Sequence, residues 1–214
     1  MKSKHGILIV NLGTPRSFAP TDVKDFLEEF LMDPYVVDIP FLLRYLLVKK
    51  IIVPRRYVSS ASKYKSVWLP NGFSPLLYHT ENLVKAAKEH LADKSIGKLN
   101  SNSNIDLTCT ETIIEMAMRY GEPSIKSGLE LLRLQGVQKI TLVPLYPQKC
   151  GATTTTTIVE FQKQAKNIFD PAASIELSWI EAFFNDPKYI EIYVEHIKSY
   201  ICHKSNNTPW DKLT

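Results

Sequence analysis

The chain has 214 residues, enough for one complete α/β domain or for two smaller ones. Its residues are 44% hydrophobic and 22% charged, which is typical of a folded globular protein and excludes disorder of the whole chain. The formal net charge is +4, but the Lys and Arg residues are scattered, so we expect no nucleic-acid partner.

Neither a leader peptide nor a membrane span is predicted. The short apolar run at residues 6–12 ends in Gly13-Thr14-Pro15, which is a turn and not a cleavage site. The most apolar later stretch, residues 36–53, is interrupted by charged residues. The cysteines are odd in number and lack metal-ligand spacing, so we expect a cytoplasmic protein with reduced thiols and no iron–sulfur cluster. They are Cys109, Cys150 and Cys202.

In chain order, the first predicted element is a strand over residues 6–12, buried on both faces. Thr21 is predicted to cap a helix that ends at Asp33-Pro34. Residues 36–53 are expected to be helical in part, with Pro54 as the break. Residues 55–75 are expected to form a long irregular loop with short helical pieces.

The rest of the chain alternates helices with strands. Ser74-Pro75 opens a helix, and the polar residues 94–112 indicate a surface insertion. Further helices are predicted to begin at Pro123, Ala152 and Asp186-Pro187. The remaining predicted strands are residues 113–120, 140–145 and 175–180.

This alternation predicts an α/β fold, a doubly wound, Rossmann-like parallel sheet of four strands. Such sheets bind ligands beyond the carboxyl ends of their strands, where the strand order reverses. The polar and aromatic residues that follow three of the predicted strands therefore mark a functional site. They are Asn11 to Thr14, Arg119 to Gly121, and Tyr146 to Gln148.

Five short motifs, between Ile7 and about Ile201, resemble those of the ferrochelatase family in order and spacing. They are Val10-Asn11-Leu12-Gly13-Thr14-Pro15, Phe30-Leu31-Met32-Asp33-Pro34-Tyr35-Val36-Val37, Ser74-Pro75-Leu76-Leu77, Ala117-Met118-Arg119-Tyr120-Gly121 and Pro144-Leu145-Tyr146-Pro147-Gln148. The resemblance implies two Rossmann-like halves that face each other across a porphyrin cleft. The implied reaction inserts ferrous iron into protoporphyrin IX or coproporphyrin III in haem biosynthesis, with iron as a substrate and no cofactor.

The resemblance also implies that this chain is the first of the two halves. Residues 1–185 would form the N-terminal domain, and residues 186–214 the connecting helix and the start of the second half. The family's catalytic His lies in a Ser-Phe-His-Gly-Leu-Pro type motif of the second half, and its partner Glu lies further on. Neither occurs here, so we expect the chain alone to be an inactive fragment.

Several residues of the first half match porphyrin-cleft positions of the family. Arg55 and Arg56 would face porphyrin propionates, which suit a guanidinium fork, although a basic pair is also common on a solvated surface. Tyr64 and Ser74 would hydrogen-bond to or stack on the ring, or else anchor their own loop. Leu12 would form a pocket wall, and its alternative is a strand-end core residue.

The other matching residues follow the second and third predicted strands. Arg119, beside Tyr120, needs an anionic partner, either a substrate carboxylate or a neighbouring acid. Tyr146 is expected to line the cleft. Thr153 would offer a helix-start hydroxyl to an anionic group, and its alternative is packing on the sheet. Three positions depart from the family pattern and leave the local ring contacts open, namely Lys149, Ala152 and Thr155.

The histidines show no metal-ligand spacing and are assigned to the surface or to packing; they are His5, His79, His90, His196 and His203. A porphyrin-binding domain without catalysis is the main alternative function, and Gly13 after the first strand leaves nucleotide binding as a third. Residues 36–57 mix apolar and basic side chains and are expected to form a cleft lip that touches a membrane surface.

Overall fold

A computed structural model describes residues 3–94, 110–170 and 174–204 of the chain. Within these ranges, four parallel strands form one sheet with the order β2-β1-β3-β4. The strands are β1 Ser3–Gly13, β2 Thr110–Tyr120, β3 Lys139–Pro144 and β4 Glu176–Trp179. The α-helices are α1 Pro20–Leu31, α2 Phe41–Leu46, α3 Val53–Val67, α4 Pro75–Lys94, α5 Ile125–Leu134, α6 Thr156–Ile168 and α7 Pro187–Lys204, and the π-helical segments are π1 Leu47–Ile52 and π2 Gly151–Thr155.

The central strand of the sheet is β1, which pairs with β2 on one side and β3 on the other. The β1–β2 register runs from Ser3 opposite Thr110 to Gly13 opposite Tyr120. Because the chain passes from β1 to β2 and then crosses to β3, the strand order reverses between β1 and β3. The predicted α/β, doubly wound, Rossmann-like sheet is therefore confirmed.

Apolar cores lie on both faces of the sheet. On one face, Leu8 and Val10 of β1 pack with α5 and α6, whose buried residues include Leu129 and Phe161. On the other face, Ile9 of β1 packs with Ile114 of β2 and Val84 of α4. Successive residues of a strand point to opposite faces, so the uninterrupted apolar run of β1 follows from its burial on both sides.

The helices after Ser74 begin close to where the sequence placed them. α5 is capped by Ser124, whose hydroxyl accepts from Ser127 N at 3.2 Å. At the start of α7, Asp186 Oδ1 accepts from Lys188 N at 2.9 Å and from Tyr189 N at 3.2 Å. These acceptors satisfy backbone donors that a first helical turn leaves unpaired.

Thr21 was wrong as the cap of the first helix. Ala19 occupies the N-cap, without a side-chain hydrogen bond, and Pro20 takes the first turn. Proline has no backbone N–H to satisfy there, and its fixed φ suits the start of a helix. The nearby Ser17 hydroxyl accepts from Ala19 N at 3.0 Å and donates to Asp22 Oδ2 at 2.6 Å, which fixes the entry of the chain.

The predicted break at Pro54 and the predicted irregular loop over residues 55–75 are also wrong. Helix runs continuously through α2, π1 and α3 to Val67, and Pro54 lies in the first turn of α3. In an α-helix a proline ring clashes with the carbonyl four residues earlier. Here the residues before Pro54 form π1, in which Val53 N donates to the carbonyl of Val48, five residues earlier. The true connection to α4 covers only residues 68–74.

The predicted polar insertion at residues 94–112 needs correction at both ends. Lys94 is the last residue of α4, and residues 110–112 belong to β2, where they pair with Ser3 to His5. Residues 95–109 lie outside the described part of the chain. The domain boundary near residue 185 stays a prediction. No helix in the described ranges is long and apolar enough to cross a membrane.

Candidate functional site

An open cavity lies beyond the carboxyl ends of β1 and β3, where the strand order reverses. Its volume is about 640 Å³, and the strands contribute Asn11, Gly13, Thr14 and Leu145 to its lining. The side walls come from α3 and α4. None of the lining residues is acidic or permanently charged, so the cavity suits a largely apolar ligand with a few polar groups.

One face of α4, with the residue before it, forms the first wall. The residues of this face recur every three or four positions, as one side of a helix requires. Asn11 Nδ2 of β1 donates to Thr80 Oγ1 at 3.0 Å, and Thr80 Oγ1 donates to the Leu76 carbonyl at 2.7 Å. These bonds fix α4 against β1. The residues of the wall are Ser74, Pro75, Leu76, His79, Thr80 and Leu83.

The end of α3 forms the second wall, which is aromatic. The Tyr64 ring lies 6.3 Å, centroid to centroid, from the rings of both Phe26 and Trp68, with an edge-on geometry in each case. Trp68 Nε1 donates to the Gly72 carbonyl at 2.9 Å, which holds the connection between α3 and α4. Burial raises the pKa of Tyr64, so its hydroxyl stays protonated at neutral pH.

A buried polar network lies beside the cavity, around Asp33. Asp33 Oδ2 accepts hydrogen bonds from Arg119 Nη2, from Tyr120 Oη at 2.9 Å and from Thr156 Oγ1. Arg119 Nε also donates to Thr156 Oγ1 at 2.9 Å. The network joins the turn after α1, the end of β2 and the start of α6. A neighbouring acid, one of the two partners considered for Arg119, is therefore present.

The environment of Asp33 keeps its carboxyl group ionised. Burial alone would raise the pKa of Asp33, but hydrogen bonds from Thr156, the Tyr35 N–H and Tyr120, together with the Arg119 charge, bring that pKa below its usual value. Burial raises the pKa of Tyr120, so its hydroxyl remains a donor to the carboxylate. The network therefore holds one anion and one cation together away from water.

Tyr146 lies next to this network, at the end of β3. Its hydroxyl is 3.5 Å from Thr157 Oγ1, so consecutive threonines of α6 contact Asp33 and Tyr146. Burial raises the pKa of Tyr146 to about 12. Thr153, half-buried in π2, donates its N–H to the Cys150 carbonyl at 3.4 Å. Tyr146 and Thr153 thus both lie in the segment that connects β3 to α6.

The ferrochelatase family profile matches residues 4–213 of the chain. The chain is 39% identical over 192 residues to the ferrochelatase of Stutzerimonas stutzeri, 38% over 197 residues to that of Ectopseudomonas mendocina, and 37% over 211 residues to that of Pseudomonas syringae pv. tomato. These alignments cover 90%, 92% and 98% of this chain. The chain belongs to the ferrochelatase family. It spans about half the length of these relatives, 50%, 51% and 53% respectively.

Of the residues selected by the ferrochelatase resemblance, Tyr64 and Ser74 line the cavity together. Arg55 and Arg56 are exposed on the first turn of α3. Arg55 precedes Tyr64 by nine positions, which corresponds to about 13 Å along a helix. Arg55 and Arg56 therefore lie near the start of α3, while Tyr64 lies near its end.

The other selected residues are not in the lining of the cavity. Leu12 is half-buried, and strand alternation places it on the same face as Leu8 and Val10, while its neighbours Asn11 and Gly13 line the cavity. Arg119 and Tyr120 are engaged with Asp33.

Sequence reasoning missed Asp33 and His79. Asp33 was given no role beyond a helix stop before Pro34 and membership of the second family motif, and its partners are 86 to 123 positions away, so nothing local indicated the network. His79 was assigned to surface or packing, and it is exposed but on the cavity wall. Its spacing of four positions from both Pro75 and Leu83 was the available signal.

The remaining histidines and cysteines contribute no site in the described part of the chain. His5 Nε2 is 2.8 Å from Thr141 Oγ1 on the sheet, which fits the packing assignment, and His90 and His196 are exposed. Cys150 is an exposed free thiol, and the side chains of Cys109, Cys202 and His203 lie outside the described residues. Among the described side chains, no three His, Cys, Asp or Glu residues are grouped to hold a metal ion.

Proposed function

We propose that this chain forms one wall of the porphyrin cleft of a ferrochelatase, the cytoplasmic enzyme that inserts ferrous iron into protoporphyrin IX or coproporphyrin III. Membership of the family supports the reaction class. The observation that carries the assignment of the site is the cavity at the β1/β3 switch point, which is apolar, lined on one side by Tyr64 and Trp68, and free of acidic side chains.

The residues present suit the binding of a flat macrocycle. Aromatic rings provide large apolar contact areas at little cost in conformational entropy. The hydroxyls of Tyr64 and Ser74 form no hydrogen bond with other described residues, so both are available to polar groups of a ligand. Arg55 and Arg56, further along α3, provide exposed guanidinium groups that suit propionates at the edge of the macrocycle.

The porphyrin proposal predicts that the isolated chain binds a porphyrin and shifts its Soret band at about micromolar concentration. Tyr64→Phe combined with Ser74→Ala should weaken binding about thirtyfold, since each substitution removes one hydrogen bond worth about 1 kcal/mol. Ser66→Ala removes an exposed hydroxyl of α3 that does not line the cavity, and it should leave the affinity unchanged. Absence of any Soret shift in the wild-type chain would contradict the proposal.

The structure also supports a second candidate, a porphyrin-binding module without catalysis. Metal insertion needs a base that removes the two pyrrole protons. Among the described residues, the cavity lining offers no carboxylate, and its one imidazole is that of His79. Anaerobic incubation of the chain with ferrous iron and porphyrin should give a Soret shift without metalloporphyrin bands. A reading frame that continues past Thr214 into a His-Gly-Leu-Pro-like motif would favour the complete enzyme over this module.

We further propose that α2 and π1 form a lip that contacts a membrane surface. Phe41, Leu42 and Leu43 are 57–67% exposed on consecutive positions. Arg44 points inward and donates to the carbonyls of Val37 at 3.1 Å and Ile39 at 3.0 Å, which holds α2 with these apolar side chains outward. Two lysines of π1 add positive charge to this region: Lys50 is exposed, and Lys49 pairs with Glu28 at 3.0 Å.

The lip proposal predicts that the chain floats with vesicles made of phosphatidylglycerol and phosphatidylcholine. Leu42→Glu combined with Leu43→Glu should abolish flotation, because two carboxylates would have to leave water at the interface. Leu134→Glu is the matched control, since Leu134 is 76% exposed at the end of α5 and is remote in sequence from the lip. Equal flotation of the double variant and the control would reject the proposal.

A further inference from the structure

The polar groups that line the cavity fall into two sets, those already hydrogen-bonded within the chain and those left open. Asn11 and Thr80 bond to each other, and Thr80 bonds to the Leu76 carbonyl. The indole N–H of Trp68 is likewise used, by the carbonyl of Gly72. Four lining side chains make no hydrogen bond with described residues, namely Thr14, Tyr64, Ser74 and His79.

His79 differs from the other three open residues in the chemistry of its side chain. Thr14, Tyr64 and Ser74 offer neutral hydroxyl donors, while an imidazole is a group that can become a cation. The His79 side chain is exposed and lines the cavity. Its ring lies 5.3 Å, centroid to centroid, from the ring of Tyr78. No described acidic residue pairs with His79, so its ring nitrogens are left for a ligand.

The surroundings of His79 add almost no other titratable group. Across the cavity, α3 presents Tyr64 and otherwise apolar side chains. The ends of β1 and β3 present Asn11, Gly13, Thr14 and Leu145, none of which is charged. On α4 itself the lining residues are Pro75, Leu76, Thr80 and Leu83. In this lining, His79 is therefore the one residue whose side chain can become a cation and pair with an anionic group of a ligand.

We propose that His79 is a carboxylate-binding residue of the cavity, which contacts an acidic side chain of the tetrapyrrole and holds it more tightly when the imidazole is protonated. This inference rests on the proposed porphyrin function of the cavity and adds a contact on α4 to those expected on α3. An imidazolium hydrogen bond to a carboxylate is charge-assisted and stronger than a neutral one. The contact orients the macrocycle edge towards α4.

The test is a Soret titration of the whole chain with coproporphyrin III, a water-soluble tetracarboxylate, at about pH 6 and about pH 8. The wild-type chain should bind about fivefold more tightly at the lower pH, the ratio expected for one partly exposed ion pair. His79→Gln should lose this difference between the two pH values. His90→Gln, on the same helix but outside the cavity, should retain it.

Comparison between the two variants removes any pH dependence that belongs to the porphyrin itself, since both variants share it. A pH ratio in His79→Gln equal to that of the wild type would overturn the inference while leaving porphyrin binding intact. An equal loss of affinity at both pH values would overturn it as well, because the contact would then not depend on charge. Absence of a Soret shift in the wild-type chain at either pH would instead overturn the proposed function, and the inference with it.

Discussion

Asp33→Asn is expected to destabilise the chain by about 3 kcal/mol in urea unfolding at neutral pH. The substitution removes the charge that pairs with Arg119, and the Asp33 and Arg119 side chains are only 3% and 13% exposed. Removal of one partner from a buried ion pair costs about 3–5 kcal/mol, because the other charge stays buried without compensation. The amide also replaces a carboxylate oxygen that accepts from Tyr120 and Thr156.

Two further variants separate the buried charge from a general effect of removing an acid. Glu28→Gln breaks the ion pair between Glu28, which is 22% exposed, and Lys49, which is 37% exposed. This substitution should lower the free energy of unfolding by less than about 1 kcal/mol. Arg119→Met added to Asp33→Asn should recover part of the lost stability, because the unpaired cation is then gone. If Asp33→Asn costs no more than Glu28→Gln, the Asp33 network does not hold the three elements together.

The same network predicts a pH dependence with a defined sign. The pKa of Asp33 is lower in the folded chain than its ordinary value of 3.8, so the unfolded state binds the proton more readily. Its stabilising contribution is therefore complete above about pH 4 and is lost as the pH falls through the lower folded-state pKa. The stability difference between wild type and Asp33→Asn should stay constant from about pH 7 to pH 5 and shrink below about pH 4.

Much of the fold could be predicted because its signals are local. Residues 6–12 form an unbroken apolar run, which is typical of a central parallel strand, and the structure places β1 at the centre of the sheet. Asp186-Pro187 and Ser74-Pro75 carry helix-start chemistry, and helices α7 and α4 begin there. The alternation of these signals was sufficient for the fold class.

The helical run through Pro54 could not be predicted by the same means. A proline inside a helical pattern normally indicates an end, and the exception here depends on a π-helical turn that has no known local signature. The aromatic residues of α3 were then assigned to a loop, although Tyr57, Ala61, Tyr64 and Trp68 recur every three or four positions. That spacing was the information that the proline obscured.

The candidate site was predicted where it depends on strand ends and missed where it depends on distant pairs. Parallel strands present their carboxyl ends at one edge, but of the three strand-end groups only Asn11 to Thr14 contributes to the cavity lining, while Arg119 to Gly121 and Tyr146 to Gln148 do not. Asp33, by contrast, meets Tyr120 and Thr156 only in three dimensions, at sequence separations of 87 and 123. A single amino-acid sequence carries no information that links positions so far apart.

Gly13→Ala is expected to lose more than about 3 kcal/mol of stability, or to prevent folding. Gly13 has a φ of 108°, in the region that disfavours residues with a Cβ. A Cβ built there would lie 1.8 Å from the carbonyl oxygen of Tyr120, a backbone atom that cannot move aside by changing a rotamer. The ends of β1 and β2 would have to separate.

Gly136→Ala isolates the conformational part of this effect. Gly136 also has a positive φ, 71°, but a Cβ there would meet no atom within 4 Å. It should cost only about 1 kcal/mol, the strain of the left-handed conformation alone. The excess loss in Gly13→Ala, measured by urea unfolding, therefore reports the close approach of the two strands. A loss no larger than that of Gly136→Ala would show that the strand ends can accommodate a side chain.

The position of Gly13 connects this stability effect to the functional site. Gly13 lines the cavity, and Tyr120, opposite it in the register, donates its hydroxyl to Asp33. A glycine after a first strand can serve to admit a phosphate, but here the space beside it is filled by the Tyr120 carbonyl. The glycine is therefore required for the contact between β1 and β2. In a Gly13→Ala chain that still folds, we expect weakened porphyrin binding together with the loss of stability, because one displacement disturbs both the cavity floor and the Asp33 network.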